Sequence, residues 1–189
     1  MTPSSTADKS TIVRQHFQRF FNGHASEDHV WTLGRAIEEL PRLRIVEFAP
    51  GPQSVLWVYA TVGTWEACKD PMLEFILIAP AQDLRHVELL TMSAWYHIRH
   101  RLREGHTFPM GEPWLPGSTS DGFLVSKPYP FGPELEICKF PKSHLHVLWL
   151  LPITPAEREF KIREGQEALE QVFDDCGLEY WNPTRDSVV

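Results

Sequence analysis

Cysteine is scarce in this sequence. Cys68, Cys138 and Cys176 form no C-x-x-C pair, and an odd count of three is no disulfide framework. Such usage suits a reducing compartment, so a cytoplasmic location is expected. Long apolar runs are also missing. The longest, from Val147 to Ile153, is strand-sized and far short of the ~18 residues of a membrane span. The first residues are small and polar, which predicts no signal peptide. Positive charge is in deficit: 18 Lys and Arg stand against 25 Asp and Glu, a net charge of −7. That argues against the basic face of a nucleic-acid binder and against attraction to an anionic membrane. It suits a neutral or basic protein partner.

Catalytic motifs are missing too. The nearest approach to a G-x-S-x-G elbow, at Gly51 to Val55, lacks the second glycine. There is no P-loop, no G-x-G-x-x-G and no H-E-x-x-H. Cys68 beside Lys69 is the one thiol whose setting suggests a lowered pKa. His97 and His100 share a helix face by spacing, but a third metal ligand from His106 needs a favourable loop. His144 and His146 share a strand face and are expected to be partly buried, hydrogen-bonded core residues. Adjacent carboxylates such as Glu38 and Glu39, or Asp174 and Asp175, do not face each other. These readings predict no catalytic residues, no metal and no cofactor.

What is present is a chain of 189 residues, 42% apolar, with sixteen prolines and seven tryptophans. Residues 1–9 read as a flexible tail and 10–189 as one domain. Ser10 reads as an N-cap for a helix over residues 11–22, with Ile12, Val13, Phe17, Phe20 and Phe21 on its apolar face. Residues 27–40 are ambiguous, with room for a short helix. Strands are predicted at 43–48, 54–62 and 73–78, the first two antiparallel across the Ala49 to Pro52 turn. A long helix follows over 84–104, with Leu84, Val87, Thr91, Ala94, Ile98 and Leu102 buried, His86 and His97 off that stripe, and Gly105 as the stop. After a long Pro- and Gly-rich connection, strands are predicted at 123–126, 135–140 and 144–151, the last covered on both faces. One final helix starts at Thr154, with Pro155 at its first position and Glu157 completing a capping box, and ends at Gly177. Its apolar stripe is Leu169, Val172, Phe173 and Cys176.

Loop aromatics are the remaining candidates for function. Trp65 follows the second strand, Trp114 sits in the long connection, Tyr129 and Phe131 stand among prolines, and Trp181 follows the last helix. Rigid aromatics in loops are common anchors of protein recognition; the alternative is that each caps the core beneath its own loop.

Several segments, taken in order, resemble the Suppressor of Fused family. They are the strand and glycine from Trp57 to Gly63 (WVYATVG), the next strand from Leu73 to Leu77 (LEFIL), and Phe108 to Trp114. They continue with the apolar core of His144 to Leu151, Leu151 to Glu157 (LPITPAE), and the closing Asn182 to Val188 (NPTRDSV). The resemblance implies an α+β domain like the family's N-terminal domain, with a mixed or largely antiparallel sheet of about six strands flanked by helices. Eukaryotic members bind transcription factors in a cleft against a second domain, which is not expected within these 189 residues, so that mode is not expected to transfer intact. Stand-alone bacterial members are read as immunity proteins that neutralise toxin domains. The resemblance therefore implies a non-catalytic protein-binding module, with Trp65, Glu66, Trp114, Tyr129 and Phe131 as candidate binding residues. The competing expectation is a small-molecule binder or enzyme with a histidine-lined pocket.

Overall fold

The computed structural model describes residues 5–189 apart from 35, with the side chains of 5–8 and 37 also outside the description. In chain order the elements are α1 (Ser5–Phe20), β1 (Ser26–His29), α2 (Ala36–Glu39), β2 (Arg44–Phe48), β3 (Trp57–Val62) and β4 (Leu73–Ala79). They continue with α3 (Leu84–His100), β5 (Thr107–Pro109), β6 (Gly122–Ser126), α4 (Pro133–Glu136), β7 (Ile137–Lys139), β8 (His144–Ile153), α5 (Pro155–Glu164) and α6 (Gln166–Cys176). The class is α+β. The eight strands among the described residues exceed the expected six, because β1 and β5 are short and carry no apolar alternation.

The chain divides into two compact units, Met1–Arg103 with Lys127–Trp149, and Glu104–Ser126 with Leu150–Val189. In the first, β1 to β4 pair antiparallel in sequence order, β8 joins β4 in parallel, and β7 pairs antiparallel with β8. The sheet is therefore mixed. Helices cover both of its faces. Phe21, just past α1, packs on Phe48 with ring centroids 4.7 Å apart. Phe48 pairs with Val58 across the strands, so the next residue, Tyr59, points to the opposite face. There its ring meets His86 of α3 at 4.9 Å.

The Ala49 to Pro52 turn is held by His24, whose Nδ1–H donates to the Ala49 carbonyl (2.6 Å) while its Nε2 accepts from the Gln53 amide (3.1 Å). Gly51 is required there, since a Cβ would lie 2.7 Å from the imidazole.

Several expectations are corrected. Helix α1 begins at Ser5, well before Ser10; residues 5–10 contain no proline or glycine to stop it, and only residues 1–4 of the expected tail lie outside the description. Helix α3 ends at His100 because Arg101 takes a left-handed conformation (φ 46°), so Gly105 is not its stop. Leu84, placed on the buried stripe, is 63% exposed, whereas His86 and His97 are fully buried. The reason is a second buried row, His86, Leu90, Ser93 and His97, alongside Val87, Thr91 and Ala94. The predicted strand at 135–140 opens with the helical turn α4, for which Pro133 supplies a preset φ. His144 is exposed and His146 half-buried, contrary to a core role: they occupy the polar start of β8 before its apolar stretch.

Burial of the two α3 histidines has a consequence for acid stability. Desolvation lowers both imidazoles from 6.5 to about 4. Both rings are then neutral in the folded chain over a range where the unfolded chain binds protons. Stability from these groups is fully present above pH 6.5 and is lost as pH falls towards 4. A shift of this size corresponds to roughly 3 kcal/mol for each ring. Replacing His97, whose ring meets Phe75 edge-on at 5.8 Å, with Phe should flatten the fall in urea-unfolding free energy between pH 6.5 and 4. An unchanged pH profile in His97→Phe would remove this ring from the account.

The second unit holds the β5–β6 hairpin, the end of β8, α5 and α6. The capping box is present: Thr154 Oγ1 accepts from the Glu157 amide (3.3 Å), and the Glu157 carboxylate accepts from the Thr154 amide (2.9 Å). The expected single final helix is two helices, because Gly165 (φ 97°) interrupts it between α5 and α6. Leu169 and Phe173 of the expected stripe are buried, while Cys176 is exposed. No helix among the described residues is long and apolar enough to cross a membrane.

Candidate functional site

The loop after β3 is built around a buried acid. Glu74 lies in the otherwise apolar strand β4 and is wholly inaccessible. Its carboxylate accepts from the Thr61 hydroxyl (2.5 Å), the Gly63 amide (2.8 Å) and the Thr64 amide (3.2 Å). Burial nevertheless dominates and pushes the Glu74 carboxyl up to about 7, against the opposing pull of these donors. Gly63 is needed at the corner: its φ of 121° is closed to most side chains, and a Cβ would meet the Leu43 Cα at 3.2 Å. The 3₁₀ turn Thr64–Glu66 thus leaves the sheet in one fixed direction.

Trp65 and Glu66 both sit in that turn and are half-buried. Glu66 pairs with Arg42 at 2.8 Å. The Trp65 ring lies under the Lys9 ammonium of α1, 5.1 Å from its centroid. Thr64 Oγ1, Trp65 Nε1 and Glu66 Oε1 are buried with no hydrogen-bond partner among the described residues. Cys68, further along the loop, donates its S–H to the Asp70 carbonyl (3.0 Å).

The other expected residues fall elsewhere. Tyr129 is 57% exposed. Phe131, two residues on, inserts edge-on against Phe20 (5.7 Å) and Phe21 (5.3 Å). This patch abuts the end of α1, whereas Trp65 abuts Lys9; eleven helical residues separate the two contacts by roughly 17 Å. They are two patches, not one. Trp114 is a correction: at 1% exposure it is a core side chain of the second unit, filling space beneath its own loop. The His97 and His100 pair is not brought together either, since His97 is buried while His100 is exposed and stacked on Tyr96 at 3.9 Å.

Two arrangements escaped the sequence reading. Glu27 and Glu47 face each other across β1 and β2, and His29 lies on the same side of β1. Ligand atoms of the three lie within 4.8 Å of one another, with His29 Nε2 3.2 Å from Glu47. A cleft of about 770 Å³ is lined by His16, Arg19, Phe20, Glu134, Ile137 and Lys139. His16 Nε2 donates to the Leu135 carbonyl (2.8 Å), and burial holds its imidazole below the usual range. Neither arrangement has a signal in sequence spacing, because each joins residues from separate elements.

Comparison with known proteins places this architecture. The family model described as Suppressor of fused protein (SUFU) matches residues 39–186. The chain belongs to the Suppressor of fused family. A Suppressor of fused homolog from Neisseria gonorrhoeae FA 1090 has a solved structure that is 34% identical, with a TM-score of 0.86 over 97% of this chain and 98% of that one. The fold is also shared with a chain of the Sufu–Fu complex (13% identity, TM-score 0.67, 95% of this chain and 91% of that one). Drosophila Suppressor of Fused matches at 11% identity and TM-score 0.60, over 94% of this chain and 50% of that one. No curated protein sequence matches. Within the Suppressor of fused match lie both the Gly63 corner with its buried acid and Arg185 of the closing segment, whose guanidinium donates to the Glu157 carboxylate.

Proposed function

We propose that this chain is a non-catalytic protein-binding module, and specifically an immunity protein that neutralises a toxin domain in the cytoplasm. The observation that carries the reading is the rigid Gly63 to Glu66 corner, which holds an aromatic and an acidic side chain at a fixed exit from the sheet. A site held in advance loses less conformational entropy on binding. Membership of the Suppressor of fused family supports it, as does the Sufu–Fu complex formed by a protein of the same fold. The net charge of −7 suits steering towards a basic partner. Co-expression with the toxin domains encoded by neighbouring genes tests the reading: growth should be rescued by one of them, and protection against none would end it.

Trp65→Ala should weaken the resulting complex by more than ~1 kcal/mol, and Tyr129→Ala should do so if the second patch is also engaged. Calorimetry on folded variants reads both. Unchanged affinity in Trp65→Ala would remove that residue from the interface.

The cleft lined by His16 favours a second reading, a small-molecule binder or enzyme. Its histidine is not among those singled out in the sequence. A ligand copurifying with the chain and released by His16→Ala would support this reading.

A further inference from the structure

The surroundings of Lys9 are those of a bound cation. Its ammonium lies 5.1 Å from the Trp65 ring centroid, 5.3 Å from that of Phe140 and 3.9 Å from Met72 Sδ. No carboxylate pairs with it among the described residues. Two ring faces and a polarisable thioether, drawn from the β3–β4 connection and from the residue after β7, hold one ammonium group. Such a site attracts an ammonium through the ring quadrupoles and needs no formal charge.

We propose that Trp65, Phe140 and Met72 form a recognition site for a lysine side chain of a basic partner segment, and that Lys9 fills this site until the partner displaces it. The inference rests on the protein-binding reading and names the chemistry of its partner. Three observations support it. Lys9 is already seated as the ligand would be. The chain as a whole is acidic, so a basic segment is drawn to it. Trp65, one wall of the site, stands on the corner fixed by Glu74, while Phe140 is 9% exposed and packed in place. Walls that hold their positions leave Lys9 as the one part that must move. The first helix is then a competitive plug, and affinity for the partner reflects the difference between its lysine and Lys9.

The test uses the full chain and Nα-acetyl-lysine N-methylamide as probe, followed by the Trp65 indole N–H resonance, assigned through Trp65→Phe. Lys9→Ala should show a saturable shift, and the unaltered chain should bind the probe about tenfold more weakly. The norleucine analogue, which lacks the ammonium, should bind neither. Lys9→Met, which keeps the aliphatic stem, serves if Lys9→Ala fails to fold. Equal affinity with and without Lys9, no shift in a folded Lys9 variant, or equal binding of the norleucine analogue would each overturn the proposal. Failure of the site is distinguishable from failure of the binding reading. A toxin complex indifferent to Lys9 and Phe140 removes the site alone. A probe that binds in a chain protecting against no toxin removes the reading alone.

Discussion

Arg185→Met should destabilise the chain by about 3–5 kcal/mol in urea unfolding, one of the two largest single-residue effects expected. The Arg185 guanidinium grips Glu157 through two parallel contacts, 2.5 and 2.7 Å long, and the side chains are 6% and 0% exposed. It also donates to the Pro152 carbonyl (3.3 Å). Glu157 has other duties: it caps α5 through the Thr154 amide and accepts from the Val188 amide (3.3 Å). The Thr119 hydroxyl donates to the Arg185 carbonyl (2.6 Å). One ion pair therefore ties the closing segment to a helix start and a strand end within the second unit. Removing the arginine leaves a carboxylate buried without its counter-charge, and that penalty exceeds the net value of the pair. Glu157→Gln keeps an amide oxygen for the cap but strands a buried guanidinium that cannot shed its charge, so it should cost a comparable amount. The double variant Arg185→Met with Glu157→Gln should be more stable than the sum of the singles by at least about 1 kcal/mol. Strict additivity would show that the buried charge is not the source of the loss.

Glu74→Ala should cost a comparable amount, about 3–5 kcal/mol, for a different reason. It orphans the Gly63 and Thr64 amides and leaves the Thr61 hydroxyl only its longer contact to the Phe75 carbonyl (3.4 Å), each buried orphan costing about 1–3 kcal/mol in part offset by relaxation. The loop from Gly63 to Asp70 should then become the first site of protease cleavage. Glu74→Gln retains one acceptor and should lose less. The two variants also separate packing from charge. Burial raises this carboxyl from 4.5 to about 7, so the folded chain holds a proton that the unfolded chain has released. Its contribution is fully present below pH 4.5 and is lost as pH rises through 7, a span of roughly 3 kcal/mol. The wild-type minus Glu74→Gln stability difference should therefore fall with rising pH across that window. The slope is opposite to that of His86 and His97, which lose stability as pH falls below 6.5. A flat difference would mean that Glu74 is ionised throughout.

Local chemistry was the most legible part of the sequence. The Thr154, Pro155 and Glu157 cap is set by three neighbouring residues and is found as read. Strands β2, β3 and β4 follow their apolar runs to within three residues at each end. What failed was decided by tertiary context. Nothing in the spacing of α3 says that its buried face is wide enough to take His86 and His97. A four-residue edge strand of Ser, Glu, Asp and His carries no apolar alternation, so β1 lacks the signature that marks a half-buried strand. Trp114, a candidate anchor among prolines, follows the alternative reading and caps the core beneath its own loop. The candidate site was half visible. Trp65 and Glu66 were found from the loop, but their support was not. A single acid in the apolar run from Leu73 to Ala79 was the available signal for Glu74. Lys9 had no signal, since it was assigned to a tail and the helix around it extends further than its apolar periodicity.

The account stands on the Gly63 corner acting as a contact surface for another protein. Titration calorimetry of the chain and of Trp65→Ala against the products of neighbouring genes, tested as candidate toxins, measures this directly. The account predicts a one-to-one complex that inhibits the toxin, weakened at least fivefold by the substitution while the variant keeps its native circular dichroism. No heat of binding to any neighbouring toxin, together with turnover of a small molecule that a single polar substitution abolishes, would contradict it.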